Sequence, residues 1–304
     1  MTGGAGFIGS HLADALLADG RRTVVVDDLS TGRPDLLPAA ADLEEVDIAD
    51  GAALDAVVDA VRPGAIFHLA AQSSVTASVM DPRRDCAVNV LGTLNVLEAA
   101  KRHHAPVVFS STGGALYGND APRPTPEDTT PAPLAPYGAS KWAGEAYVVT
   151  WAASTGSQYA VCRLGNVYGP RQSPFGEAGV VAIFSHQLWQ GQTPTLYGHG
   201  HPTRDYVHVD DVVAAVLAAE GIGGVFNVGT GTETDVQTIF DTLQEAAGTS
   251  LQPKLAPLRP GELERSSLDP TRAARTLGWR AQVGLRDGLF QTYTALTAEF
   301  ERAG

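Results

Sequence analysis

The sequence predicts an α/β fold: a doubly wound parallel sheet followed by a smaller C-terminal α/β lobe. Three observations predict it. Strand-like and helix-like runs alternate through the first half, and a glycine triplet (Gly3, Gly6, Gly9) opens the first helical run. After Gly169 the alternation breaks up around Pro170, Pro174 and several glycines.

Taken in order, residues 11–19 place Leu12, Ala15 and Leu16 on one helical face. Residues 22–26 are a β-branched run that ends in Asp27. A helix is expected over 53–61, a strand over 65–69, and one long helix over 85–104 with Pro82 just before it. A strand over 107–111, a helix over 137–153 and a strand over 159–164 follow. Strand, helix, strand, repeated, is the mark of a parallel sheet covered on both faces. Residues 121–136 are proline-rich and are expected to be an ordered surface loop. Helices are expected over 181–190, 210–220 and 236–247, and residues 270–277 are expected to start a last helical stretch. The first strand of such a sheet should precede Gly3, where only Met1 and Thr2 stand. We expect the native chain to start upstream, Met1 being an internal valine codon read as an initiator; mass spectrometry of the native protein tests this.

The 304 residues allow a nucleotide-binding domain over 1–168, with some later segments returning to it, and a mainly substrate-binding lobe over 169–304. At 44% hydrophobic residues a packed core is expected. A formal net charge of -13 repels phosphate backbones, so no nucleic-acid partner is expected. Cys86 and Cys162 form no Cys-x-x-Cys pair and are both read as buried small hydrophobes. No apolar stretch reaches the length of about 18 residues that would cross a membrane, and no signal peptide precedes the first motif. The expected compartment is the cytosol.

Glycines at 3, 6 and 9 let a backbone approach a pyrophosphate, and the helix N-terminus offers it free N–H groups. Asp27 lies 27 − 9 = 18 residues beyond Gly9, near the spacing of a ribose-binding carboxylate in a Rossmann-type sheet. A carboxylate there repels a 2′-phosphate, which favours NAD over NADP. Tyr137 and Lys141 stand four apart on a predicted helix and so share a face. A lysine cation beside a phenol lowers its pKa and makes a base suited to a sugar hydroxyl. Lysine is scarce in this chain (Lys101, Lys141 and Lys254 only), so it is not the default cation here.

With these residues in view, the sequence resembles the extended short-chain dehydrogenase/reductase family, and within it the bacterial UDP-glucose (UDP-galactose) 4-epimerases. The matching pieces run from Thr2 to Gly9, Val26 to Gly32, Asp47 with Ile48, and His68 to Gln72. Asn89, Gly92 with Thr93, Phe109 to Thr112, Tyr117 with Gly118, and Tyr137 with Lys141 continue the series. Arg163 to Arg171, Arg204 to Asp211 and Arg259 to Glu262 complete it, in family order over essentially the whole chain.

The resemblance implies an NAD site. Gly3, Gly6, Phe7, Ile8 and Gly9 meet the pyrophosphate; Asp27 and Asp28 hold the adenosine ribose; Ser30, Thr31 and Gly32 line the adenosine side; Asp47 and Ile48 flank the adenine. Leu69, Ala70, Ala71, Gln72 and Ser110 run beside the cofactor, and Asn89 lies near its ribose. It further implies that Tyr137, Lys141 and Thr112 are catalytic. Tyr137 takes the O4 proton, Lys141 tunes the phenol and holds the nicotinamide ribose, and Thr112 bonds the sugar O4.

Related dehydratases carry Asp-Glu after the catalytic threonine, and decarboxylating relatives keep a glutamate there. This chain has Gly113 and Gly114, which disfavours elimination and decarboxylation. For a UDP-sugar substrate the resemblance points to Thr112, Tyr137, Asn166, Arg204 and Arg259. Tyr197 falls where an aromatic packs near the uracil, and Glu262 where most relatives use an aspartate on the uridine ribose. Ser266 falls where a bulky tyrosine blocks N-acetyl groups in strict hexose epimerases. Asp205, Asp210 and Asp211 read as structural. No metal is expected from His199, His201 and His208, which lack carboxylate partners at ligand spacing. His103 and His104 read as complementing a helix C-terminus. Family members are commonly homodimers, through the helices at 85–104 and 137–153. Other readings stay open: a UDP-N-acetylhexosamine or UDP-glucuronate 4-epimerase, a nucleotide-sugar reductase, or a non-catalytic NAD-binding sensor.

Overall fold

The protein is described by a computed structural model over residues 1–175, 179–259 and 262–303. Helix α1 (Phe7–Ala18) buries Leu12, Ala13 and Leu16. Strand β1 (Val24–Asp27) starts two residues after the expected run, because Arg22 faces solvent. β2 (Asp42–Glu45) was not expected: its four residues are polar or half-exposed, as suits a sheet edge. α2 (Gly51–Val61) is capped by Asp50, whose carboxylate accepts the Ala53 N–H at 3.1 Å. β3 (Ile66–His68) follows, then α3 (Val75–Met80), a short helix capped by Ser74.

The long helix expected over 85–104 begins earlier and is interrupted. α4 (Pro82–Cys86) has proline in its first turn, where its missing N–H costs nothing. A π-helical turn (Ala87–Gly92) leads into α5 (Thr93–His103). His103 lies in the last turn of α5, and its Nε2 meets Asp59 Oδ1 at 2.7 Å. β4 (Val107–Thr112), α6 (Pro136–Thr155) and β5 (Tyr159–Leu164) close this half. The 121–136 segment is not only surface: Thr125 and Glu127 are buried, and the Glu127 carboxylate accepts the Asn227 N–H at 2.9 Å. The two cysteines also differ from expectation. Cys162 is buried in β5, whereas Cys86 is exposed at the end of α4.

The second half contributes β6 (Asn166–Tyr168), α7 (Val180–Trp189), β7 (Thr195–Tyr197), β8 (Thr203–Arg204) and β9 (Tyr206–His208). Then come α8 (Val209–Ala218), β10 (Gly224–Val228), β11 (Thr234–Asp235), α9 (Val236–Ala247) and β12 (Lys254–Ala256). The stretch expected from 270 is two helices, α10 (Thr271–Thr276) and α11 (Leu285–Ala303), parted at Gly278, whose φ is +66°.

β10, β5, β4 and β3 lie side by side in parallel, and β1 pairs in parallel with β2. Thr2 bridges Val26 on one side and His68 on the other, which joins these pieces in the order β2, β1, Thr2, β3, β4, β5, β10. Helices cover both faces. Leu12, Val212, Val216 and Trp279 pack on one face; Leu54, Val96, Leu97, Val148 and Trp151 pack on the other. The architecture is the doubly wound α/β sheet that the alternation predicted. A third apolar cluster joins α7, α9 and α11 through Phe184, Phe240 and Leu289. Each large apolar side chain buried this way contributes about 1.5–3 kcal/mol.

Candidate functional site

The glycine loop sits at the C-terminal edge of the sheet. Gly3 has φ +71°, and a Cβ there would meet Ala70 N at 2.4 Å. A Cβ at Gly9 would meet Gly3 O at 2.1 Å, so α1 can start this close to the loop only with glycine. No side chain caps α1; the first N–H to bond back is Ser10, at 2.9 Å to Gly6 O. The N–H groups of Phe7, Ile8 and Gly9 therefore face outward, a cradle that fits a pyrophosphate. Asp27 ends β1 with one oxygen on Ala5 N–H (2.9 Å) and the other on Leu29 N–H (3.0 Å). Burial raises its pKa against those two bonds. Gly32 stands against that carboxylate, 2.6 Å from its Cβ position to Asp27 Oδ1.

Along the same edge, Ser30 binds Asp28 through its N–H (3.1 Å) and hydroxyl (2.7 Å), and Thr31 is exposed. Asp47 is exposed and accepts the Ala49 N–H at 2.8 Å; Ile48 beside it is buried against Gly92. Leu69, Ala70, Ala71 and Gln72 leave β3 partly exposed, the first two held by Thr2 through its carbonyl (3.1 Å) and hydroxyl (3.3 Å). Asn89 is fully engaged inside. Its carbonyl accepts the Gln72 N–H (2.8 Å), and its amide donates to Gln72 O (2.9 Å), Asp85 (3.1 Å) and Ser140 (3.0 Å). These bonds join Gln72, Asp85 and Ser140 through one side chain.

Thr112 ends β4; the first turns of α6 bring Tyr137 to it and set Lys141 against Phe109 on the same strand. Ser110, two residues before Thr112, is partly exposed on the same strand. Burial pushes the Tyr137 phenol up to about 12; contact with the Thr112 hydroxyl opposes this and the Asp85 charge adds to it. Burial lowers Lys141 to about 8, against the pull of Glu145 and Asp85. The expected lowering of the phenol by Lys141 is not seen in the protein alone. The Lys141 ammonium lies 4.4 Å from the centroid of the Phe109 ring, and desolvation dominates at the tyrosine.

Sequence reasoning missed the charged network behind these residues. Glu145, one turn past Lys141, is buried and pairs with Arg163 (2.6 Å), while Ser111 donates to it at 2.5 Å. Arg163 also donates to Tyr117 (2.6 Å) and to Glu127 O (2.9 Å). His68 is buried between Thr2 (2.7 Å) and Thr93 (3.0 Å), and burial pushes it down to about 3, so it is neutral. The one available signal was spacing: Glu145 is four residues past Lys141, and Asp85 four before Asn89.

On the other side of Thr112, a Cβ at Gly113 would lie 2.4 Å from Leu268 Cδ1, and one at Gly114 would lie 3.2 Å from Asn166 Oδ1. Leu268, 1% exposed, fills the space that a side chain at 113 would need. Asn166 Oδ1 is buried without a partner, a polar atom fitted to a ligand donor. Arg204 is held by Thr203 O (2.8 Å) and Glu264 O (3.4 Å), and its pKa is lowered by burial; no carboxylate among the described residues forms an ion pair with it. Arg259 stacks 4.0 Å over the Tyr197 ring and pairs with Glu262 at 3.2 Å, which brings these three expected residues together. Pro260 and Gly261 of the same motif lie outside the described residues. Ser266 lines a small pocket of about 10 Å³ with Gly113, Tyr117, Arg123 and Arg265.

Asp205 is structural, as expected: its carboxylate accepts from Thr230 N–H and hydroxyl, Gly231 N–H and Leu268 N–H. Asp211 accepts the Gln282 and Val283 N–H groups, and Asp210 lies in the first turn of α8. Among the described residues no three His, Cys, Asp or Glu side chains are grouped to hold a metal, and no helix is long and apolar enough to cross a membrane.

Comparison with known proteins bears on this arrangement. Residues 1–229 match the NAD dependent epimerase/dehydratase family. The UDP-glucose 4-epimerase of Mycolicibacterium smegmatis is 45% identical over 300 residues, 96% of each chain. The crystal structure of UDP-glucose 4-epimerase with UDP-glucose from Thermotoga maritima superposes with a TM-score of 0.96 at 44% identity, covering 98% of both chains. That of the Thermus thermophilus UDP-glucose 4-epimerase in complex with NAD gives 0.91 at 42% identity, covering 97% of both. The chain belongs to the NAD-dependent epimerase/dehydratase family of extended short-chain dehydrogenases/reductases.

Proposed function

We propose that the chain is an NAD-dependent nucleotide-sugar 4-epimerase whose substrates are UDP-glucose and UDP-galactose. The observation that carries this reading is local. Tyr137 meets Thr112 at the end of β4 with Lys141 against Phe109 of the same strand, and the next two residues, Gly113 and Gly114, carry no acid and pack closely on Leu268 and Asn166. Its similarity to UDP-glucose 4-epimerases along nearly the whole chain supports the choice of sugar nucleotide.

NAD, held by the α1 N-terminus with its ribose on Asp27 and Asp28, supplies the hydride acceptor and donor. Thr112 holds O4 of the sugar, and Tyr137 takes the O4 proton as C4 is oxidised. Lys141 keeps a positive charge beside the phenol and binds the nicotinamide ribose. The resulting 4-keto sugar turns within the site, hydride returns to its other face, and Tyr137 gives the proton back. Ser30, Thr31, Gly32, Asp47 and Ile48 line the adenosine side, and Leu69, Ala70, Ala71, Gln72, Asn89 and Ser110 form the groove wall. Arg204 and Arg259 meet the diphosphate, Asn166 donates to it, Tyr197 packs near the uracil, and Glu262 binds the uridine ribose. A cofactor lobe over 1–168 and a mainly substrate-binding lobe over 169–304 belong to the same reading; the separate apolar cluster of α7, α9 and α11 supports it.

Incubation with a panel of UDP- and dTDP-sugars, with products resolved, tests the proposal. Interconversion of UDP-glucose and UDP-galactose without net NADH is expected. A 4,6-dehydrated product, or NADH accumulating with turnover, would overturn it.

A second reading rests on Ser266. The small side chain there, where the resemblance puts a bulky tyrosine in strict hexose epimerases, supports acceptance of UDP-N-acetylhexosamines as well. Ser266→Tyr should then lower the ratio of UDP-N-acetylglucosamine to UDP-glucose turnover; an unchanged ratio refutes this. The chain is further proposed to be a cytosolic homodimer. Support comes from an apolar surface on α3, the π turn and α6, where Val79, Met80, Leu91, Trp142 and Tyr147 are exposed.

A further inference from the structure

Asp85 is the feature of the site that neither the motifs nor the mechanism uses. It lies on α4, one residue before its end, and is 1% exposed. One carboxylate oxygen accepts from Gln72 Nε2 (2.9 Å) and Asn89 Nδ2 (3.1 Å). Asn89 passes the link on to Ser140 (3.0 Å), and Ser140 donates to the Tyr137 carbonyl at 3.0 Å. A chain of hydrogen bonds therefore runs from a buried carboxylate to the first turn of the catalytic helix, and a branch grips Gln72 in the cofactor groove. Among the described residues no cation lies within ion-pair reach of Asp85; its neighbours Arg83 and Arg84 are exposed.

A buried carboxylate without a paired cation is costly unless a charge nearby benefits from it. The groups facing that position are few. Lys141 and Tyr137 on α6 both feel the Asp85 charge. Glu145 on α6 favours the Lys141 ammonium more than Asp85 does, and its carboxylate is shared with Arg163 from β5 and Ser111 from β4. His68 on β3 is neutral.

We propose that Asp85 is a positioning residue: the anchor that sets Tyr137 through Asn89 and Ser140 and, besides Glu145, a second negative charge favouring the Lys141 ammonium. The assignment to turnover rests on the epimerase reading; the effect on Lys141 does not. Loss of the charge removes a favourable partner of the ammonium and an unfavourable neighbour of the phenolate, so both groups titrate at lower pH.

The chain has only three lysines, so a ¹³Cε-lysine spectrum of the full chain with NAD has three signals, and Lys141→Met assigns the one of interest. In Asp85→Asn its midpoint should fall by at least about half a pH unit, and both limbs of the kcat profile should move to lower pH. Glu145→Gln should lower it too, Glu145 being the stronger of the two charges on Lys141. Asp85→Glu should keep the wild-type midpoint, and it carries the test if Asp85→Asn does not fold. A midpoint unmoved in Asp85→Asn or lowered in Asp85→Glu would overturn the proposal, whereas a plain structural role would lower kcat at every pH without moving the limbs. If the wild type turned over no UDP-sugar, the epimerase reading would fail while the lysine titration still decided the role of Asp85.

Discussion

Behind Tyr137 and Lys141 the polar groups are buried and paired; around Tyr197 and Arg259 they are exposed and held by one stack and one ion pair. Glu145, Arg163, Asn89, His68 and Ser111 lie on strand ends or on helices packed against the sheet, and each has partners below the surface. Arg259 and Glu262 sit on a loop, with side chains 59% and 32% exposed. The contrast separates two tasks. Proton and hydride chemistry needs groups fixed to within a fraction of an ångström, which buried and satisfied networks provide. Grip on a flexible diphosphate and uridine needs charge that arrives with the ligand, and solvated side chains can provide that.

The largest effect should come from breaking the buried side. Arg163→Met leaves Glu145 charged and buried, with Ser111 as its remaining hydrogen-bond donor. Unpaired burial of this kind costs about 3–5 kcal/mol, read as a fall in the urea midpoint. Adding Glu145→Met should recover much of that loss, because two apolar groups of similar volume need no desolvation. If the single variant were as stable as wild type, the network would not be the frame of the site.

Next in size is the chemistry itself. Tyr137→Phe should cut turnover by at least ~10²-fold, the low end for lost acid–base catalysis. Its thermal midpoint should stay close to wild type, since the phenol hydroxyl only meets Thr112. Near-normal turnover would remove Tyr137 from the mechanism; lost stability would instead place it in the frame with Arg163.

What was legible in the sequence follows the same divide. β5 and α9 lie where periodicity placed them, because their apolar faces are buried. β2 escaped notice because Asp42, Glu44 and Glu45 form a solvated edge. α3 escaped because Val75, Val79 and Met80 point outward and leave no core stripe. The break in the 85–104 helix was hidden too, since a π turn changes hydrogen bonding without changing residue type. At the site, the glycine loop and the Tyr137–Lys141 spacing were legible because local geometry dictates them. The Asp85–Asn89–Ser140 link and the Gly113–Leu268 packing were not. Each joins residues far apart in sequence, 51 apart for Asn89 and Ser140, and only the folded sheet brings them together.

The smallest effect, and the sharpest test of the contrast, lies on the exposed side. Arg259→Ala removes a solvated stack and an exposed ion pair, so stability should change by no more than about 0.5 kcal/mol. If Arg259 grips the diphosphate, the loss should appear in KM for the UDP-sugar, raised about tenfold with kcat nearly kept, as for one charge-assisted hydrogen bond. Arg204→Ala offers the intermediate case. Its guanidinium is partly buried on the carbonyls of Thr203 and Glu264, so both KM and the urea midpoint should respond. A kcat loss in Arg259→Ala as large as its KM gain would mean that the exposed side also aligns the reacting sugar, and the division between a rigid chemical half and an adaptable binding half would fail at that residue.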